Sequence, residues 1–231
     1  MLFGSLINQL QAMVQWMMSE PLDFFVYTFS KVIVVLVAIT FHEVAHGYVA
    51  YRCGDPTAKM LGRLNLNPLK HLDPIGTITL FLLGFGWAKP VPVNPRNFRN
   101  FRRDDFLVSV AGITVNFSLF IIATALMVGI QRFAYYSLPM AYLMQFLAML
   151  SSINLGLGVF NLIPIPPLDG FHLLNDTLLK GRLRLQPQFF QIAQVALIAL
   201  VFMGAFDGIL RTVITAINNG VLNLFLRMTG A

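Results

Sequence analysis

The stretch Val32-Ile-Val-Val-Leu-Val-Ala-Ile-Thr-Phe-His42-Glu43-Val-Ala-His46-Gly-Tyr-Val-Ala-Tyr51 decides how the rest of the chain is read. It lies in an apolar run long enough to cross a membrane, yet it carries two histidines and a glutamate side by side. On a helix, His42 and His46 are one turn apart and share a face. Two imidazoles so placed can grip one Zn²⁺, and Glu43 beside them can take a proton from a water at the metal. The alternative is a pair of helix histidines satisfied by backbone carbonyls. Burying these three groups in lipid costs more than ordinary packing explains, and ionisable residues at membrane depth mark functional sites. Hydrolysis at a zinc centre is the expected chemistry.

Composition supports that setting. Hydrophobic residues make up 57% of the 231 and charged residues 11%, with a mean hydropathy of +0.71, which excludes an ordinary soluble globule. The expected fold is an all-α polytopic membrane protein, a helical bundle with one broken, Pro-rich helix and a small re-entrant β-like element. Residues 1–231 are read as one membrane-embedded domain: 1–20 an amphipathic N-terminal segment, 24–180 the catalytic core, and 188–231 the C-terminal helices. The first residues lack a basic stretch and contain Asn8, Gln9, Gln11 and Gln15, so residues 2–18 read as an interfacial helix and not as a cleaved signal. Cys53 is the single cysteine, which excludes an internal disulfide and a cysteine metal cluster.

The net charge of +6 is a topology signal more than a nucleic-acid patch. Nine of the sixteen Lys and Arg residues lie between Arg52 and Arg103, and three more are Lys180, Arg182 and Arg184. Short loops rich in these residues stay cytoplasmic, so both segments are expected on that side. The first span, residues 24–51, then runs inward and stops at Gly54-Asp55-Pro56. That puts His46 in the inner half of the bilayer. Residues 75–88 are apolar but short, with glycines and a following Pro-Val-Pro-Val, and read as re-entrant extended backbone that protein must cover. A second span covers 106–130, with Ser109, Ala111 and Gly112 offering a surface for close helix contact. From Phe133 to Leu168 no charge appears, but Gly156, Gly158, Pro164, Pro166 and Pro167 predict a break near 163–167, followed by a short helix from Leu168 to Leu179. Residues 188–206 are expected to cross outward, leaving 212–228 as an amphipathic tail.

The broken span holds the second polar constellation, Asn161-Leu-Ile-Pro-Ile-Pro-Pro-Leu-Asp169-Gly170. A catalytic zinc usually takes three protein ligands and keeps one position open, and His42 and His46 supply two. Asp169, at a matching depth, is the natural third. Its alternative role is a helix N-cap after the proline turn. Gly170 and the prolines would allow close approach of backbone. Among the other polar residues, His71 reads as an interfacial loop residue, Asn154 as an interhelical hydrogen-bonding group, and His172 as an interfacial histidine on the same helical face as Asp169.

With both constellations in view, the chain resembles the site-2 protease family of intramembrane zinc metalloproteases, in a compact form without PDZ or CBS domains. The resemblance rests on His42-Glu-Val-Ala-His46, Asn161-Leu-Ile-Pro, Pro-Leu-Asp169-Gly170, Asn67-Pro-Leu-Lys-His-Leu-Asp-Pro-Ile-Gly76 and Gly86-Trp-Ala-Lys-Pro-Val-Pro-Val-Asn94. It implies one zinc per chain held by His42, His46 and Asp169, with Glu43 as general base and Asn161 close enough to polarise or hold the scissile carbonyl. It also implies cleavage of peptide bonds within or near transmembrane segments of other membrane proteins. Where the family often has Ala-Gly-Pro, this chain has Ala111-Gly112-Ile113, with Asn116 still at the expected offset; after Leu-Asp-Gly it continues Phe171-His172. Substrate selection would fall to the bundle or to a substrate-presenting adaptor. The expected partners are a transmembrane protein substrate and the lipid bilayer, with no nucleic acid. The expected location is a prokaryotic cytoplasmic membrane, with the site toward the cytoplasm. Two other classes are a metal-transport protein, disfavoured by a single site with a fixed base, and a catalytically silent membrane scaffold.

Overall fold

The computed structural model describes residues 2–74, 76, 88–133, 137–183 and 185–229. In chain order the helices are α1 (Leu2–Ser19), α2 (Pro21–Arg52), the one-turn α3 (Thr57–Met60), α4 (Phe101–Phe133), α5 (Leu138–Asn161), α6 (Asp169–Thr177), α7 (Pro187–Phe202) and α8 (Asp207–Thr229). Single 3₁₀ turns lie at Pro68–Lys70 and Pro95–Asn97. Prolines open α2, α5, α7 and both 3₁₀ turns, where a missing N–H leaves no helical bond unmade. Four described helices are long and apolar enough to cross a membrane: α2, α4 as far as Gln131, α5 and α8.

Helix α4 is the hub. It packs against α2, α5, α6 and α8, and α2 and α5 also meet each other. Buried Phe120 of α4 lies with Leu155 and Val159 of α5 in a cluster that Leu210, Ile214, Ile217 and Val221 of α8 cover. Those four residues recur at helical spacing and form one stripe. At the other end of the chain, Trp16 of α1 meets Phe24 and Tyr27 of α2 edge-on, with ring centroids 5.4 and 5.2 Å apart.

Four expectations change. The apolar helix after residue 187 has 16 residues, about 24 Å of rise, which is short of a bilayer core of about 30 Å. The segment read as an amphipathic tail is instead the 23-residue α8, a candidate span. Its polar residues Arg211, Asn218 and Asn219 lower its apparent hydropathy, but the 210/214/217/221 stripe gives it a face to pack on α4 and α5. The re-entrant β-like element is not supported, because the described residues form no sheet. Only its ends meet, through an isolated antiparallel bridge between Leu72 and Ala88 and a 2.9 Å bond from Lys89 N to His71 O. Its centre, including residues 78–82, lies outside the described residues. Finally, His71 does lie in a loop, but its side chain is buried in the protein, with Nε2 2.7 Å from Asn65 O.

The expected break after α5 is present, since helix stops at Asn161 and resumes at Asp169. A Cβ on Gly170 would collide with the carbonyls of Leu162 and Ile163, so the first turn of α6 seats directly on the proline-rich turn. This fixes where Asp169 begins its helix.

The loop between α2 and α4 is organised by Asp55, which is fully buried. Its carboxylate accepts from Asn94 N and Asn97 Nδ2, both at 2.7 Å, and from the backbone and hydroxyl of Thr57. Burial pushes the Asp55 carboxyl up, but the bonds from Asn94, Thr57 and Asn97 together outweigh it and hold it below its ordinary value. A carboxyl lowered in the folded state stabilises fully above its unfolded value, and that contribution is lost as pH falls through the folded one. Asp55→Ala should therefore lower stability in detergent at neutral pH by about 2 kcal/mol. Thermal unfolding of both proteins should show the difference shrinking as acid protonates the native carboxylate.

Candidate metal centre

His42 and His46 project from one face of α2 toward α4, as their spacing requires. Each ring is fixed through Nδ1. The His46 Nδ1 lies 2.7 Å from Val108 O, and the His42 Nδ1 lies 3.0 Å from Asn116 Oδ1. A backbone carbonyl only accepts, so His46 carries its proton on Nδ1. The same follows for His42 with the Asn116 oxygen facing it. In the neutral form of each ring Nε2 then carries the lone pair, and the two Nε2 atoms face one another at 2.9 Å. Asp169 Oδ2 joins them at 3.5 Å from His42 Nε2 and 3.4 Å from His46 Nε2.

With both rings neutral, three electron-rich atoms turned toward one point repel unless a cation lies among them. The residues fit zinc on that ground and on donor chemistry, two imidazoles and a carboxylate being a catalytic zinc set. The Asp169 Oδ2 is buried and has no hydrogen-bond partner of its own. Among the described residues, His42, His46 and Asp169 are the His, Cys, Asp or Glu group that could hold a metal ion. Asp169 is the first residue of α6 and Leu168 precedes the helix as its cap residue, with no side-chain cap bond. The N-cap alternative for Asp169 is not what the structure shows.

Gly112 of α4 gives the cluster its room. A Cβ there would overlap His46 Nε2 and His42 Cε1 and come within 2.7 Å of His42 Nδ1. The small-residue surface read from Ser109, Ala111 and Gly112 therefore serves ligand approach as well as helix contact.

Glu43 is held by the loop before α4: its Oε2 accepts from the Val91 backbone at 2.7 Å. Asn161, the last residue of α5, donates through Nδ2 to Leu157 O at 3.0 Å within its own helix. Among the described residues, no hydrogen bond or ion pair joins it to the His–Asp cluster. Asn154, expected to bond between helices, instead donates to Leu150 O in its own helix. His172 lies 3.0 Å from Asp105 Oδ2 of α4 and stacks on Phe190 with ring centroids 6.2 Å apart, so it ties α6 to α4 and α7. Sequence reasoning missed Val108 and the Val91 backbone, because every residue carries a carbonyl and nearly every one an N–H. Asn116 was named only through the family resemblance, by its offset from Ala111-Gly112.

Gly112→Ala should weaken zinc binding about 10–100-fold by displacing the histidines, while leaving the donor set intact. Competition against a metal chelator would measure it, and unchanged affinity would show that α2 and α4 separate freely.

Peptidase family M50 matches residues 127–204, the stretch that holds Asp169. The "Putative zinc metalloprotease YwhC" of Bacillus subtilis strain 168 is 46% identical over 155 residues, which are 65% of this chain and 69% of the relative. The "Putative zinc metalloprotease Rip2" of Mycobacterium tuberculosis strain H37Rv is 31% identical over 202 residues, 84% of this chain and 75% of the relative. No solved structure matches at a significant level. Similarity on this scale, over a bundle whose apolar helices enclose a zinc-type donor set, means that the chain belongs to peptidase family M50, as an integral-membrane zinc metalloprotease.

Proposed function

We propose that this protease hydrolyses peptide bonds within or near transmembrane segments of other membrane proteins, with one zinc held by His42, His46 and Asp169. The observation that carries the reading is the convergence of the two Nε2 atoms and Asp169 Oδ2 on helices flanked by apolar spans. Zinc, when bound, supplies Lewis acidity toward a water and toward the scissile carbonyl. Glu43 takes the proton of the attacking water on its carboxylate and later gives it to the leaving amine. Asn161 keeps one amide N–H on Leu157 O, which leaves the second to donate to the developing oxyanion.

Helical hydrogen bonds hide a substrate's carbonyls, and breaking them in lipid is costly. The substrate therefore unwinds locally and lies extended, pairing with backbone in 90–94. The whole chain acts as one catalytic unit in a prokaryotic cytoplasmic membrane, and an adaptor presents substrates to it. The basic residues between Arg52 and Arg103 support a cytoplasmic loop, and hence a site nearer the cytoplasm.

Glu43→Gln should keep zinc and lose cleavage by about 10²–10⁴-fold, since an amide cannot accept the proton. Proteomic comparison of membranes carrying the intact chain or the variant would find fragments made only by the former, and full activity of the variant would sink the base assignment. For orientation, in a Cys53→Ser background, a cysteine at Asn100 should react with a membrane-impermeant thiol reagent only when the cytoplasmic face is opened. One at Ser137 should react from outside. The reverse pattern places the site near the outer face.

A further inference from the structure

The Glu43 carboxylate has one hydrogen bond among the described residues, and its donor is a backbone N–H far away in sequence, that of Val91 at 2.7 Å. The local sequence is Lys89-Pro-Val-Pro-Val-Asn94, and the prolines on either side of Val91 have no N–H to give. From Pro90 to Pro92, Val91 is thus the sole donor. Its side chain is also committed. Val91 is buried, and it fills the hollow at Gly47, where a Cβ would come within 2.8 Å of Val91 Cγ1 and 2.7 Å of Leu64 Cδ2. Gly47 follows Glu43 by four residues, so one face of α2 presents both the carboxylate and the hollow. Val91 answers the first with its N–H and the second with its isopropyl group.

The segment is tied down on both sides of that contact. Upstream, Lys89 N donates to His71 O at 2.9 Å, and Arg63 Nη2 donates to the carbonyls of Lys89 and Pro90 at 2.8 and 3.3 Å. Downstream, Asp55 holds Asn94 N and the Asn97 side chain. An extended strap anchored this way has little freedom to slide along α2.

We propose that Val91 is a positioning residue: its backbone N–H, held in register by the 89–97 strap, fixes Glu43 Oε2 so that the other carboxylate oxygen is presented to the reacting water. This rests on Glu43 being the general base. A glutamate has three side-chain torsions, and pinning one oxygen removes most of the freedom that would otherwise be lost on reaching the transition state.

Val91→Pro deletes the donor and keeps extended backbone, whereas Val91→Ala keeps the donor and loses the packing at Gly47. For purified, zinc-loaded protein on a single-span substrate, Val91→Pro should lower kcat about 10–100-fold, with KM and zinc content unchanged. Val91→Ala should lower thermal stability and retain kcat within a few-fold. Equal kcat losses in the two variants, or a Val91→Pro enzyme with full kcat, would overturn the proposal. A second readout does not need activity or the proline variant. In Glu43→Ala, amide hydrogen exchange at Val91 should accelerate at least about tenfold, while Lys89, bonded to His71, stays unchanged. Unchanged exchange at Val91 would overturn it too. Glu43→Gln in the same assay separates the two readings: if it is active, the base assignment fails; if it is dead while Val91→Pro is fully active, only the positioning role fails.

Discussion

Two imidazole nitrogens and a carboxylate oxygen meet within one bundle of apolar helices, and each histidine is prevented from turning away by a bond on its opposite side. That arrangement is unfavourable in isolation. It needs α2 and α4 close enough for the Val108 carbonyl and the Asn116 amide to reach the rings, α4 without a Cβ at residue 112, and a third strand of chain brought back to deliver Asp169. The α2–α4 contact, the proline turn and the seat of Gly170 on the Leu162 and Ile163 carbonyls are all conditions for that meeting. A cation among the three acceptors turns their mutual repulsion into the attraction that stabilises the site.

Much of the site was legible in the sequence, because metal chemistry restricts both residue type and spacing. His42 and His46 on a helix could only share a face, and Asp169 after the proline-broken run was read as the third ligand with a helix N-cap as its alternative. The partners of these residues were less legible for a physical reason. Val108 acts through its carbonyl and Val91 through its N–H, and neither group is written in the identity of the side chain. The same holds for His71, whose loop folds back far enough to bury it.

The fold was legible where hydropathy and breakers agreed. Both long spans, the break before Asp169 and the short helix after it were read within a few residues, because an apolar run and a proline cluster each act locally. The C-terminal helices differ in length from what was read, the longer one being the second. Average hydropathy favoured residues 188–206 over 212–228, whereas length and a packing stripe decide which helix joins the bundle. The re-entrant segment shows a similar limit: its glycines and prolines announced irregular backbone, but only the pairing of its ends is seen.

Helix α6 has nine residues, about 13 Å of rise, with Asp169 at one end. At the other end, the Arg102 guanidinium of α4 grips the carbonyls of Asp176 and Thr177. The His172–Asp105 bond sits between these points. So short a rod, clamped at its tail and midpoint, has no joint at which to absorb an error. A displacement of the arginine clamp is passed along the shaft, and the aspartate at the tip inherits its aim from a guanidinium about two helical turns away.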